Sequence, residues 1–231
     1  MSTSTSPWTP TSNPPRANDT APFKAGTDIR YTDRSAGEGM RCSSAFRLNG
    51  NSMLTAEHCN GNSFKTVVGT DVGSRYLPLD SISLDVMLIA NKTYSNLMYT
   101  GGQYTNSTIS ATGNYPYYTL PFGVQILLSG TRSGQVSLGY TGNWTQFGYA
   151  DGCHNLGGEG KRCQVFGANA DPDECIGSDS GGPLAVYDPA NGRVIPVGIQ
   201  SATNGDRTDY HKCIATRTMA VTYAYGGATL G

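Results

Sequence analysis

Apolar residues in this chain come in short runs parted by turn residues, not at helical spacing. Cys42-Ser-Ser-Ala-Phe-Arg-Leu48, then Asn49-Gly50-Asn51, then Ser52-Met-Leu-Thr-Ala56 reads as a hairpin with Asn-Gly as its turn signal. Thr66-Val-Val-Gly69 and Asp85-Val-Met-Leu-Ile-Ala90 read as further strands. The second is almost continuously apolar, which predicts a central position in a sheet. Gly123–Leu128, Gly134–Gly139 and Arg193–Gln200 repeat the rhythm of strand and turn. Residues 94–118, rich in Tyr, Gly, Thr and Asn, are expected to cross between two β halves of similar length. Only Thr218–Tyr225 has the character of a short helix, and no internal repeat is present.

The first 25 residues break this rhythm. Ser, Thr, Pro and Asn dominate, and five of the twelve prolines lie within the first 22 positions. Such a segment buries too little to offset the entropy of ordering it, so an extended or mobile tail is expected there. Trp8 is its one apolar anchor.

Composition supports an all-β reading: charged residues are 14% of the chain, against 30 glycines and 14 tyrosines. A net charge of −1 with no basic block argues against nucleic acid or an anionic membrane as partner. No apolar run is long enough for a transmembrane helix, so a soluble protein is expected. Six cysteines without a Cys-x-x-Cys pair, and three histidines (His58, His154, His211), do not give zinc spacing. Disulfides are the expected use, in an oxidising compartment. The opening Met-Ser-Thr-Ser-Thr lacks a signal-peptide pattern. The expectation is a mature secreted chain with an added start methionine, its leader left out.

The candidate chemistry centres on Gly177-Ser178-Asp179-Ser180-Gly181-Gly182-Pro183. Three glycines and a proline in seven residues suit a tight turn with its N–H groups turned outward. An acyl-transfer nucleophile needs such a setting: an exposed hydroxyl beside amides that hold the developing oxyanion. A general base is offered by His58 in Leu54-Thr-Ala-Glu-His-Cys59. A Cys42–Cys59 bridge would pin the hairpin and fix the imidazole's direction, contributing about 3 kcal/mol in the chain-entropy account. Asp85, at the mouth of an apolar strand, needs a partner if buried, and the His58 N–H would serve. Asp71 and Asp80 are its competitors, both in turn-like contexts.

These three motifs, in the order His, Asp, Ser, resemble the chymotrypsin family of serine endopeptidases, in particular the secreted, streptogrisin-like branch of actinomycetes. The resemblance covers residues 26–231. It implies two antiparallel six-stranded Greek-key barrels, one over residues 26–112 and one over 113–231, after a tail of residues 1–25, with the active site between them. It also implies an acyl-enzyme mechanism without cofactor or metal. Ser180 would be nucleophile, His58 base and then acid, Asp85 orienter, and the N–H groups of Ser178 and Ser180 the oxyanion hole. Asp179 would be buried against a cation, with Arg132 and Arg41 as candidates. Bridges Cys175–Cys213, across the specificity pocket, and Cys153–Cys163 are implied as well. Ser201 resembles the segment that pairs with substrate backbone. The animal branch's Ile-Val-Gly-Gly start is missing. The expected partners are therefore a polypeptide substrate and a removed pro-segment, on a monomer.

The chain departs from the family pattern at three places. Ser178 stands where glycine is usual, so the turn is expected to take another path or the oxyanion hole to be partly collapsed. Glu57 stands where alanine or glycine precedes the histidine, with its side chain expected toward solvent. Ala202-Thr203-Asn204 replaces a glycine-rich pocket entrance and would narrow it. Asp173 and Glu174, just before Cys175, suggest a preference for Lys or Arg, or are plain solvated loop acids. A silent binding protein on the same fold, a narrow esterase or self-processing peptidase, and a purely structural β protein remain the rival readings.

Overall fold

The computed structural model describes residues 14–31, 41–48, 52–76, 84–115, 120–143, 153–155, 161–163, 165–169, 175–204 and 212–231. The first half carries β1 (Phe23–Ala25), β2 (Asp28–Tyr31), β3 (Arg41–Ser43), β4 (Arg47–Leu48) and β5 (Ser52–Thr55). It continues with β6 (Ser63–Lys65), β7 (Asp71–Tyr76), β8 (Met87–Ala90), β9 (Tyr94–Tyr99) and β10 (Thr108–Ser110). The second half carries β11 (Gln125–Gly130), β12 (Gly134–Asn143), β13 (Cys153–Asn155), β14 (Lys161–Cys163) and β15 (Val165–Asn169). It ends with β16 (Pro183–Asp188), β17 (Arg193–Asn204), β18 (Lys212–Arg217) and the helix α1 (Thr218–Ala224).

Strands β11-β12-β15-β18-β17-β16 close into an antiparallel six-stranded barrel. The first half is a seven-stranded antiparallel sheet in the order β3-β2-β6-β7-β8-β5-β4. Its edge strands β3 and β4 are consecutive in the chain, and between them Ala45 and Phe46 keep hydrogen bonds to Leu54. One kinked segment thus supplies both edges, and the sheet curls round to meet itself. The seven strands are a six-stranded barrel with one strand broken in two. A small sheet, β1-β9-β10, flanks it, with β1 parallel to β9. The architecture is all-β in two curled halves.

Three readings of the sequence change. Thr66–Gly69 is a turn, not a strand: Gly69 N–H reaches the Thr66 carbonyl at 2.9 Å, and Thr70 N–H the Thr66 hydroxyl at 3.1 Å. The Thr66 side chain competes for the backbone there, and Val68 stays 43% exposed. The expected crossing of residues 94–118 contains β9 and β10. From Pro14 onward the expected tail belongs to the body, with Arg16, Ala17, Phe23 and Ala25 buried. Composition hid this because the segment is held by a few large side chains. Trp8 and the Asn49–Asn51 turn lie outside the described residues.

The core explains the unbroken apolar run of β8. Met87 and Ile89 point into the first half with Phe23, Ile29, Met53 and Phe64. Val86 and Leu88 point the other way, into a cluster with Phe46 and Leu54 that also takes in Ala185, Val194, Ile199, Val221 and Leu230 of the second half. Side chains alternate along a strand, so a strand with two buried faces must be apolar throughout. The second barrel has its own core of Ile126, Leu128, Leu138, Phe166 and Leu184.

Candidate active site

His58 sits in a single 3-10 turn, Glu57–Cys59, at the end of β5, closed by Asn60 in the left-handed region at φ +34°. Cys59 is bridged to Cys42 of β3, and the Thr55 hydroxyl donates to the Ser43 carbonyl at 2.9 Å. The turn that carries the imidazole is therefore braced on both sides. Asp85 immediately precedes Val86 and is fully buried. Its Oδ1 accepts the backbone N–H of His58 at 2.9 Å, and its Oδ2 lies 2.7 Å from His58 Nδ1. The Ser201 hydroxyl, from β17 of the other half, also donates to Oδ2.

Burial alone pushes the Asp85 carboxyl up, but the hydrogen bond and charge of His58, with the bonds from Ser201 and the His58 backbone, outweigh it. They hold the carboxyl below the usual carboxylate range. An ionised carboxylate only accepts, so Nδ1 carries a proton, and Nε2 is the ring nitrogen that can take one up. Asp71 is mostly exposed and paired with Lys92 at 2.7 Å. Asp80 is outside the described residues. Glu57 is not simply turned to solvent: it pairs with Arg75 at 2.9 Å, while Arg75 also donates to Asn60 Oδ1 at 2.7 Å. A nearby cation was available, and the carboxylate took it.

The Ser180 turn is docked onto this same place. The Ser43 N–H donates to the Ser180 carbonyl at 2.7 Å. Gly181 has φ +81°, and a Cβ there would collide with the Thr55 hydroxyl and the Ser43 carbonyl. Only glycine lets the turn come this close to the end of β5. Ser178 adopts φ +87°, and its carbonyl accepts the hydroxyls of Ser43 at 3.1 Å and Thr131 at 3.0 Å. The N–H groups of Ile176, Asp179, Gly181 and Gly182 all have acceptors. Among the described residues, those of Ser178 and Ser180 have none, like that of exposed Gly177.

Asp179 is fully buried but its partners are not the cations expected. Its Oδ1 accepts the backbone N–H of Arg132 at 2.8 Å and of Ser133 at 3.2 Å. Its Oδ2 accepts the Ser133 hydroxyl and the Ile176 N–H, the latter at 3.1 Å. The Arg132 side chain is exposed, and Arg41 pairs with Asp28 at 2.6 Å. Three amides and a hydroxyl hold this carboxylate, and among the described residues no cation pairs with it directly. Sequence reading missed Ser43, Thr131 and Ser133, because isolated Ser and Thr in turns carry no distinguishing signal.

Cys175 is bridged to Cys213, which faces Thr203 across the β17–β18 ladder. Cys153 and Cys163 face each other across the β13–β14 ladder. Asp173 and Glu174 lie outside the described residues. Ser201, expected along a substrate strand, has its side chain turned to Asp85. No group of His, Cys, Asp and Glu suited to a metal ion occurs among the described residues.

In overall structure the chain is similar to a glutamic-acid-specific serine protease, at 21% identity and a TM-score of 0.66, over 90% of this chain and all of that one. This is the chymotrypsin fold. Thermobifida fusca protease A has it too, at 18% identity and a TM-score of 0.62 over 90% of this chain and 97% of that one. So does a Cellulomonas bogoriensis chymotrypsin, at 18% identity and a TM-score of 0.61 over 90% and 98%. No protein-family model and no curated protein matches the chain. Within the chymotrypsin fold, His58 and Asp85 come from one half and the Ser180 turn from the other.

Proposed function

We propose that the chain is a secreted serine endopeptidase with Ser180, His58 and Asp85 as its catalytic triad. The observation that carries the reading is the pair His58–Asp85: a fully buried, ionised carboxylate bonded to Nδ1 and to the backbone of one histidine, beside the Ser180 turn. Ser180 Oγ attacks the scissile carbonyl carbon while its proton passes to His58 Nε2. The N–H groups of Ser178 and Ser180 stabilise the oxyanion. His58 then protonates the leaving amine, giving an acyl-serine. Water, deprotonated by His58, attacks that ester, releases the carboxylic acid and restores Ser180. Peptide and water are the only reactants.

A trypsin-like preference would rest on Asp173 or Glu174 at the pocket, with Thr203 on its rim. The glutamate-specific relative is named for a histidine triad in substrate binding. This chain has three histidines in all, and with His58 bound to Asp85 only two are left, too few for such a site. The two bridges Cys42–Cys59 and Cys175–Cys213 support a life outside a reducing cytosol.

The test is labelling with a fluorophosphonate and mapping of the modified peptide, with Ser180→Ala as control. Rapid labelling confined to Ser180 is expected, followed by cleavage of Arg and Lys substrates ahead of Phe and Glu ones. A folded, disulfide-intact protein that takes no label would overturn the reading in favour of a silent binding protein. Preference for Phe or Glu would overturn only the pocket assignment.

A further inference from the structure

We propose that Arg16 is a positioning residue for the Ser180 turn: its guanidinium fastens both stems of the β11–β12 hairpin, whose turn cradles Ser178 and Asp179. The inference rests on the proposed peptidase chemistry of Ser180. Arg16 lies in the 3-10 turn Pro15–Asn18 and is only 1% exposed. Nη1 donates to the Ser129 hydroxyl at 2.7 Å and to the Gly26 carbonyl at 3.4 Å. Nη2 donates to the Gly101 carbonyl at 3.4 Å.

Those contacts reach the two stems separately. Ser129 is the last residue but one of β11. Gly101 holds the start of β12, accepting the Gln135 N–H at 2.7 Å and donating its own to Gln135 Oε1 at 3.0 Å. Between the stems, Thr131 bonds the Ser178 carbonyl, and Arg132 and Ser133 bond the Asp179 carboxylate. There is no slack in the chain of contacts: a side chain at Gly130 would collide with that carboxylate. A shift of the stem therefore becomes a shift of the Ser180 turn.

The cost of this arrangement argues for a purpose beyond filling space. Arg16 has no ion-pair partner among the described residues, and its Nε makes no hydrogen bond. Its charged face lies 5.2 Å from the centre of the Tyr99 ring, which Lys24 Nζ approaches at 5.3 Å. Burial pulls the guanidinium down to about 10, with Tyr99 and Asp179 pulling the other way. An apolar side chain of similar length would fill the same volume without burying a charge. It could not hold a hydroxyl and two carbonyls at fixed angles.

The experiment is burst kinetics with p-nitrophenyl acetate on the full chain, with sites counted by fluorophosphonate labelling of Ser180. Arg16→Met is expected to slow acylation about tenfold to a hundredfold, the scale of an ångström's misplacement, and leave the half-saturating ester concentration unchanged. Arg16→Lys, which keeps the charge but loses the fork, should recover only part of the rate, and full recovery would overturn the proposal. Ser129→Ala should slow acylation alone, and the double variant should be no slower than the slower single. Wild-type acylation rate in Arg16→Met, a change in half-saturation instead of rate, or multiplying effects in the double variant each overturn the proposal. If Arg16→Met does not fold, Ser129→Ala decides by the same rate. A wild-type chain that takes no label refutes the peptidase reading and this inference together; a labelled wild type with unaltered variants refutes this inference alone.

Discussion

Ser178 is one of the three places where the chain departs from the pattern it resembles, and its backbone bears the strain of that departure. At φ +87° it takes up a conformation suited to glycine, at a cost on the order of 1–2 kcal/mol. Ser43 and Thr131 hold its carbonyl there, and among the described residues its N–H has no acceptor. Ser178→Gly should therefore stabilise the protein by roughly 1 kcal/mol, the strain relieved less the extra chain entropy of glycine. Urea unfolding checks this, alongside fluorophosphonate labelling, which should persist. A loss of stability would mean that the Ser178 side chain itself supports the turn.

Among the elements, β8 with the residue before it does two jobs. Met87 and Ile89 belong to one core, Val86 and Leu88 to the cluster shared with the second half. Leu88→Ala is expected to cost about 2–5 kcal/mol in urea unfolding, as for other buried leucines. A cost below about 1 kcal/mol would mean that the seam between the halves repacks freely. This element was the most legible part of the sequence, because an unbroken apolar run that starts at a carboxylate suits little besides a strand buried on both faces. The Ser180 turn and the His58 hairpin were legible for a similar reason: unusual residues stood together. Arg16, Ser129 and the bond from Ser201 to Asp85 were not. Each acts on a group far away in the chain, Ser201 on Asp85 across 116 residues, and local pattern carries no trace of such pairs. The true extent of the N-terminal segment was hidden too, since two or three deeply buried side chains outweighed a composition typical of loops.

At the scale of the whole molecule, Asp85 ties folding to pH. Its folded-state carboxyl titrates below its unfolded value of about 4, so on acidification the unfolded chain binds the proton first. The stability it contributes is fully present above that value and is lost as pH falls through it toward the folded-state value. Asp28 acts in the opposite sense: burial raises its carboxyl, chiefly against the pull of Arg41, and it favours the fold more as the solution becomes acid. Asp85→Asn should flatten the fall in urea midpoint as pH drops below about 5. Parallel curves for the variant and the wild type would count against the assignment. The cluster shared by the halves carries one more consequence, for anyone who would recombine this chain with a relative. A crossover point near residue 113 looks natural, since it falls between β10 and β11. Yet Val86 and Leu88 on one side of it and Ile199, Val221 and Leu230 on the other fill one common space. A chimera joined there would inherit two halves of different jigsaws, and its seam would need redesign before its active site could be judged.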